Sequence, residues 1–137
     1  MPVTLREAHE LINSAHRRAQ ELGTHITVAV VDEGGHLQAL GRMDGAPPLS
    51  AGIAEHKAAS VALIRRDGAT LRQMQEAWPA FFSQLDRAAG RPILAGAGSL
   101  LIQRADTVMG AIAVSGGLPQ QDDECAEAGL AGLAVGN

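Results

Sequence analysis

The stretch HITVAVVDEGGHLQALGRM, residues 25–43, decides the fold. Its first part, 25–32, is apolar and β-branched, the composition of a strand buried on at least part of both faces. Glu33-Gly34-Gly35 has the sequence of a tight turn, and 36–43 alternates apolar and polar residues like a hairpin partner. A hairpin joins antiparallel strands, so the surrounding elements belong on an antiparallel sheet. Upstream, Leu5, Ala8, Leu11, Ile12, Ala15, Ala19 and Leu22 recur at helical steps. That spacing predicts an amphipathic helix with Thr4 as N-cap and Gly23 as stop.

Downstream, DGAPPLS (44–50) reads as a loop whose prolines forbid a central strand. Leu49-Ser50 leads into a helix to about Ile64, with Ser50 as N-cap. Asp67-Gly68 interrupts, a helix over 70–77 follows, and Pro79 breaks or kinks what comes next. Three apolar segments, 93–95, 99–103 and 107–114, read as short strands, with Asp106 at the turn between the last two. A closing helix covers about 120–133. Helices and strands come in blocks instead of alternating, which predicts a single α+β domain over 1–137 with an antiparallel sheet covered by helices.

Composition narrows the function. The chain of 137 residues carries a net charge of −4, only 2% aromatic residues and no long basic run, which argues against nucleic-acid binding. Cys125 is the single cysteine, so an internal disulfide and a cysteine-rich zinc site are excluded. The first residues do not read as a signal peptide, and no apolar run has the length of a membrane span. The expectation is a cytoplasmic protein with no membrane partner. Neither a dinucleotide fingerprint nor a P-loop is present.

Five histidines invite a metal or heme hypothesis. His9 and His16, on the first helix, border its apolar face; His25 and His36 begin the two hairpin strands; His56 stands beside Lys57 on the second helix. No pair has zincin spacing, so a single imidazole on heme iron is the open possibility, with His16 and His56 as candidates. The competing account is a set of solvated, structural rings.

Two loops offer polar groups. RMDGAPPLS (42–50) supplies Arg42, Asp44 and Ser50, followed by Lys57, and the two cations suit a carboxylate or propionate. A surface pair between Arg42 and Asp44 is the alternative. In MGAIAVSGGLPQQDDECAEAG (109–129), a buried strand ends at Ser115-Gly116-Gly117 and a helix opens with Gln121, Asp122, Asp123 and Glu124. The backbone N–H groups of Gly116 and Gly117 can bind an anion, and Ser115 can equally satisfy local backbone. Acids in a first helical turn oppose the dipole, worth roughly 0.3–1 kcal/mol each.

Taken together, VAVVDEGGHLQALGRMDGAPPLS (28–50), EHKAAS (55–60), GAIAVSGG (110–117) and QDDECAEAG (121–129) resemble the GlcG/HbpS-like family, which includes the C-terminal domain of PduO-type proteins. The resemblance covers almost the whole chain. It implies a profilin-like α+β fold, a five-stranded antiparallel sheet with helices on both faces, and homo-oligomeric assembly. Some members bind heme, and a few are linked to corrinoid or redox-sensing systems. Members usually carry two glycines before the proline that precedes the third strand; Ala89-Gly90-Arg91-Pro92 departs from that pattern and adds a cation.

In such a sheet Arg42, Asp44, Ser50, Lys57, Ser115, Gly116, Gln121 and Asp122 are expected to converge on one pocket. Two functions suit it. One is a binder of heme or a related tetrapyrrole in an accessory or sensing role, with a histidine for iron and cations for the propionates. The other is a small catabolic lyase, isomerase or hydrolase acting on an organic acid, in which Asp44 or Asp122 moves a proton.

Overall fold

The computed structural model describes residues 1–135. Helix α1 (Leu5–Leu22) leads into the hairpin β1 (Thr27–Asp32) and β2 (Leu37–Arg42). Then come α2 (Leu49–Ile64), α3 (Gly68–Ala77), and two short helices, α4 (Pro79–Phe82) and α5 (Leu85–Ala89). Strands β3 (Ser99–Arg104) and β4 (Thr107–Ser115) and helix α6 (Pro119–Val135) complete the described chain. The sheet is antiparallel in the order β2-β1-β4-β3, so β1 and β4 are central.

The central strands bury both faces, and their alternation sorts side chains by size. Val28, Val30, Ile112 and Val114 meet α1 and α6, while Ala29, Val31, Ala111 and Ala113 meet α2 and α3. Mostly small residues on the second face match Ala54, Ala58 and Ala62 of α2, so helix and sheet approach closely. The result is three layers, with a core on each side of the sheet.

The sheet has four strands, not the expected five. Residues 93–95 form no strand and join no ladder. The segment lies between Pro92, which has no N–H to give, and Gly96. Its backbone is satisfied from another element, with Leu94 N–H donating to Ser60 Oγ on α2 at 2.9 Å. Ser50 is not an N-cap either. Pro48 occupies that position, and Ser50 lies in the first turn, where its hydroxyl donates to Pro47 O at 2.5 Å. Past Pro79 the chain does not stop being helical but breaks into the two short helices.

At the start of α1, Thr4 Oγ1 accepts from Glu7 N–H at 3.1 Å and Glu7 Oε1 accepts from Thr4 N–H at 3.0 Å, a reciprocal cap. Arg104 of β3 donates to Glu7 Oε2 at 2.6 Å. The Thr4 backbone bond, then Arg104, hold the Glu7 carboxyl below its ordinary value. Its ionised form therefore favours folding above about pH 4.5, and that contribution is lost as pH falls through the lowered native value. Thr4→Ala is expected to cost about 1 kcal/mol, read as a thermal midpoint lower by about 3 °C at pH 7. An unchanged midpoint would show that the cap contributes nothing.

Candidate functional site

One end of the sheet gathers most of the expected residues. Register aligns Arg42 of β2, Thr27 of β1 and Ser115 of β4 in one row, and β3 begins alongside at Ser99. The chain enters α2 and α6 just beyond this row. Arg42 and Asp44 therefore lie at the same end as Ser115 and Asp122, but they do not share its burial. Both are exposed: Arg42 Nε donates to Ala46 O at 3.2 Å, and Asp44 has no ion pair among the described residues. The surface pair between them does not form.

Beneath the row the groups are buried. Thr27 Oγ1 and Ser50 Oγ are 2.7 Å apart. Because Ser50 gives its only hydroxyl proton to Pro47 O, Thr27 is the donor in that pair. Lys57 is 7% exposed and its Nζ donates to Val114 O at 2.6 Å, its only hydrogen bond among the described residues. Asp122 is 6% exposed and accepts from Gly117 N–H through Oδ1 at 3.0 Å. Gln121 Oε1 accepts from Leu118 N–H at 2.9 Å, and Asp123 Oδ1 from Gly98 N–H at 2.6 Å. The acids at the start of α6 thus tie down two loops. Gly117, expected to offer its N–H to an anion, already gives it to Asp122.

Burial sets the proton affinities here. It pushes the Lys57 ammonium below its ordinary value, against the attraction of Asp122 and Asp123. It pushes the Asp122 carboxyl up, against the opposing pull of Lys57 and the Gly117 N–H. Cys125 is also buried, and burial, then the Asp122 charge, raise its thiol to about 11, an unreactive state. In the window between the lowered native value of Lys57 and 10.5, the unfolded chain binds the extra proton, so stability rises with pH. The stability of wild type relative to Lys57→Met is therefore expected to rise from pH 7 to pH 10 in urea titrations, whichever of the two is the more stable at pH 7. A constant gap would mean that the native amine titrates like a free one.

A strap of chain, residues 91–98, crosses above Lys57. A Cβ built on Gly96 would stand 3.6 Å from Lys57 Cε and 4.0 Å from Nζ, and one on Gly98 only 2.6 Å from Asp122 Cβ. Sequence reading missed a signal available from counting alone: Lys57 is the only lysine of the chain, and its other cationic side chains are all arginine.

The candidate heme ligands lie on opposite faces of the sheet. His16, on α1, is half-buried with Nε2 3.0 Å from Gly41 O, so one ring nitrogen is committed to the hairpin. His56 lies on α2, half-buried, and its ring makes no hydrogen bond among the described residues. The exposed positions around it are apolar: Leu49 is 72% and Leu63 41% exposed. One turn before His56, a Cβ on Gly52 would meet nothing within 4 Å. Beside this face, Arg91 donates to Gly35 O at 3.0 Å and stands 3.9 Å from Glu55 Oε2. His9 and His25 are exposed, and exposed His36 pairs with Asp32 at 3.2 Å. No cluster of three or more metal-ligating side chains occurs among the described residues.

An antiparallel sheet with helices on both faces, buried polar groups at one end and a histidine-bearing helix outside defines a small α+β protein. Residues 3–131 match the family model described as haem degrading protein HbpS-like, and the chain belongs to that family. It is 42% identical over 60 residues to GlcG of Escherichia coli K12, a match spanning 44% of this chain and 45% of GlcG. The matched stretch is thus less than half the length of that curated relative. The crystal structure of HbpS is similar over 96% of this chain and 89% of its own, at 29% identity and a TM-score of 0.85. A structure of the PduOC–heme complex shares the fold over 96% of this chain and 95% of its own, at 23% identity and a TM-score of 0.86. No helix among the described residues is long and apolar enough to cross a membrane.

Proposed function

We propose that this protein binds heme or a related tetrapyrrole on the outward face of α2, with His56 as the iron ligand, in an accessory or sensing role. The observation that carries the reading is the His56 ring: half-buried, without a hydrogen-bond partner among the described residues, and flanked by exposed Leu49 and Leu63. A neutral imidazole with a free ring nitrogen is the common protein ligand of heme iron. Gly52 lets a flat ring lie against the helix one turn before it. Arg91, 3.9 Å from Glu55 of α2 and bonded to Gly35 O, is a cation beside this helix for a propionate. Such a group supplies an iron centre; the chain supplies its ligand, an apolar floor and charge neutralisation. Family membership, whose description names haem, supports the same reading.

The test is a hemin titration followed by the visible spectrum and by quenching of Trp78, the only tryptophan, which is 60% exposed. One saturable site per chain with a sharpened Soret band is the expected result. Non-saturating, broad absorption would overturn the proposal. The alternative, a small enzyme acting on an organic acid, rests on the buried Lys57 and Asp122; exposed Arg42 and Asp44 do not join them. Assembly into homo-oligomers and a cytoplasmic location belong to the proposal too.

A further inference from the structure

We propose that Lys57 is a carbonyl-reactive amine, and that the buried end of the sheet captures a small uncharged aldehyde as a Schiff base, with Asp122 as the proton carrier. The inference stands apart from heme binding, which uses the opposite, outward side of α2.

Its first support is selection of residue type. Every other cationic side chain is arginine, and the one lysine is placed where it is 7% exposed. Arginine is the better residue for a permanent buried cation, because its planar fork spreads charge over several donors. Lysine adds what arginine lacks, an amine that can lose its proton and attack carbon. The second support is its surroundings. Lys57 has one hydrogen bond, to Val114 O, and no carboxylate within salt-bridge distance among the described residues. A buried ammonium so sparsely satisfied is costly, and the neutral amine, with one N–H on Val114 O and a free lone pair, is not. The third is space: the overlying strap presents bare backbone at Gly96, leaving methyl-sized room beside Nζ. Arg42 and Asp44 stay outside, and the Asp123 carboxylate nearby disfavours an anionic ligand.

The step balances without a further reactant. The Lys57 lone pair forms a bond to the carbonyl carbon as the carbonyl π bond breaks, and nitrogen gives up one of its two protons while the oxygen takes one up, giving a neutral carbinolamine. Asp122, whose burial favours its protonated form, gives its proton to the hydroxyl. The nitrogen lone pair then forms the carbon–nitrogen double bond as the carbon–oxygen bond breaks and water leaves, and the Asp122 carboxylate takes back the remaining N–H proton.

The experiment treats the folded 137-residue chain with acetaldehyde and cyanoborohydride at pH 7 and maps ethylation by peptide mass spectrometry. Only the N-terminal amine and Lys57 can react, so each serves as reference for the other. The expected result is ethylation of Lys57 at least tenfold faster in the folded protein than in the same chain unfolded in guanidinium chloride. Benzaldehyde, too large for the gap at Gly96, is expected to label only the N-terminus. Asp122→Asn should slow Lys57 ethylation about tenfold, and Asp122→Glu should restore part of it. If folded Lys57 reacts no faster than in the unfolded chain, it is a structural amine and the proposal falls. Lys57 ethylation that benzaldehyde matches would equally overturn it.

Discussion

Gly110→Ala is expected to leave the chain largely unfolded at room temperature, with a loss of at least about 4 kcal/mol against a total of roughly 5–15 kcal/mol for a domain. Gly110 lies in central strand β4, paired with Asp32 on one side and Ile102 on the other. A Cβ built there would sit 2.1 Å from Val31 O, 3.2 Å from Val31 C and 3.3 Å from Asp32 Cα. All three atoms belong to the backbone of β1, which is held between β2 and β4 and cannot retreat without breaking a ladder. The effect is a clash, and a second substitution separates it from simple loss of glycine. Gly23 caps α1 at φ +72° with nothing within 4 Å of an added Cβ, so Gly23→Ala should cost only about 1 kcal/mol. Circular dichroism and urea titration of both variants check this. A folded Gly110→Ala protein with a near-native midpoint would mean that β1 and β4 are less constrained than their register implies.

The second large effect concerns heme. His56→Ala is expected to weaken hemin binding by at least about 100-fold, beyond the roughly 10–100-fold typical of losing a hydrogen-bond partner of a metal ligand. His16→Ala should change it little, because that ring already bonds Gly41 O on the other face of the sheet. Gly52→Ala gives an independent reading. Alanine favours a helix interior by about 1 kcal/mol over glycine, and the added methyl meets nothing in the chain, so the protein should become more stable. The same methyl intrudes on a ring lying against α2, so hemin affinity should fall as stability rises. Fluorescence titration and thermal melts on the three variants decide the matter. Binding lost with His16 and kept without His56 would move the ligand to α1.

Much of the fold was legible because its elements carry local signals. The helical spacing from Leu5 to Leu22 was bracketed by Thr4 and Gly23, and the structure places both at its caps. The hairpin of 25–43 announced itself through β-branched residues and a glycine turn, and its strands pair as expected, within two residues at either end. The segment 93–95 misled because three apolar residues satisfy a strand pattern without having a strand's neighbours. Ser50 misled because serine is a common N-cap, whereas two prolines had already set the start of α2.

The candidate site divides along the same line. The motifs around Arg42 and Asp122 pointed to one end of the sheet, where register and helix starts do place them. Nothing local distinguished exposed Asp44 from buried Asp122. The sequence by itself determined the caps of α1, the hairpin, the antiparallel α+β class and the family. Only the tertiary structure decided that Lys57 lies under a bare glycine strap against Val114 O, 57 residues away, that Gly117 is spoken for by Asp122, and that His16 and His56 face opposite sides. The reason is physical. Periodicity records which side of an element avoids water, whereas a buried polar group's state depends on which distant carbonyl, carboxylate or empty space stands opposite it.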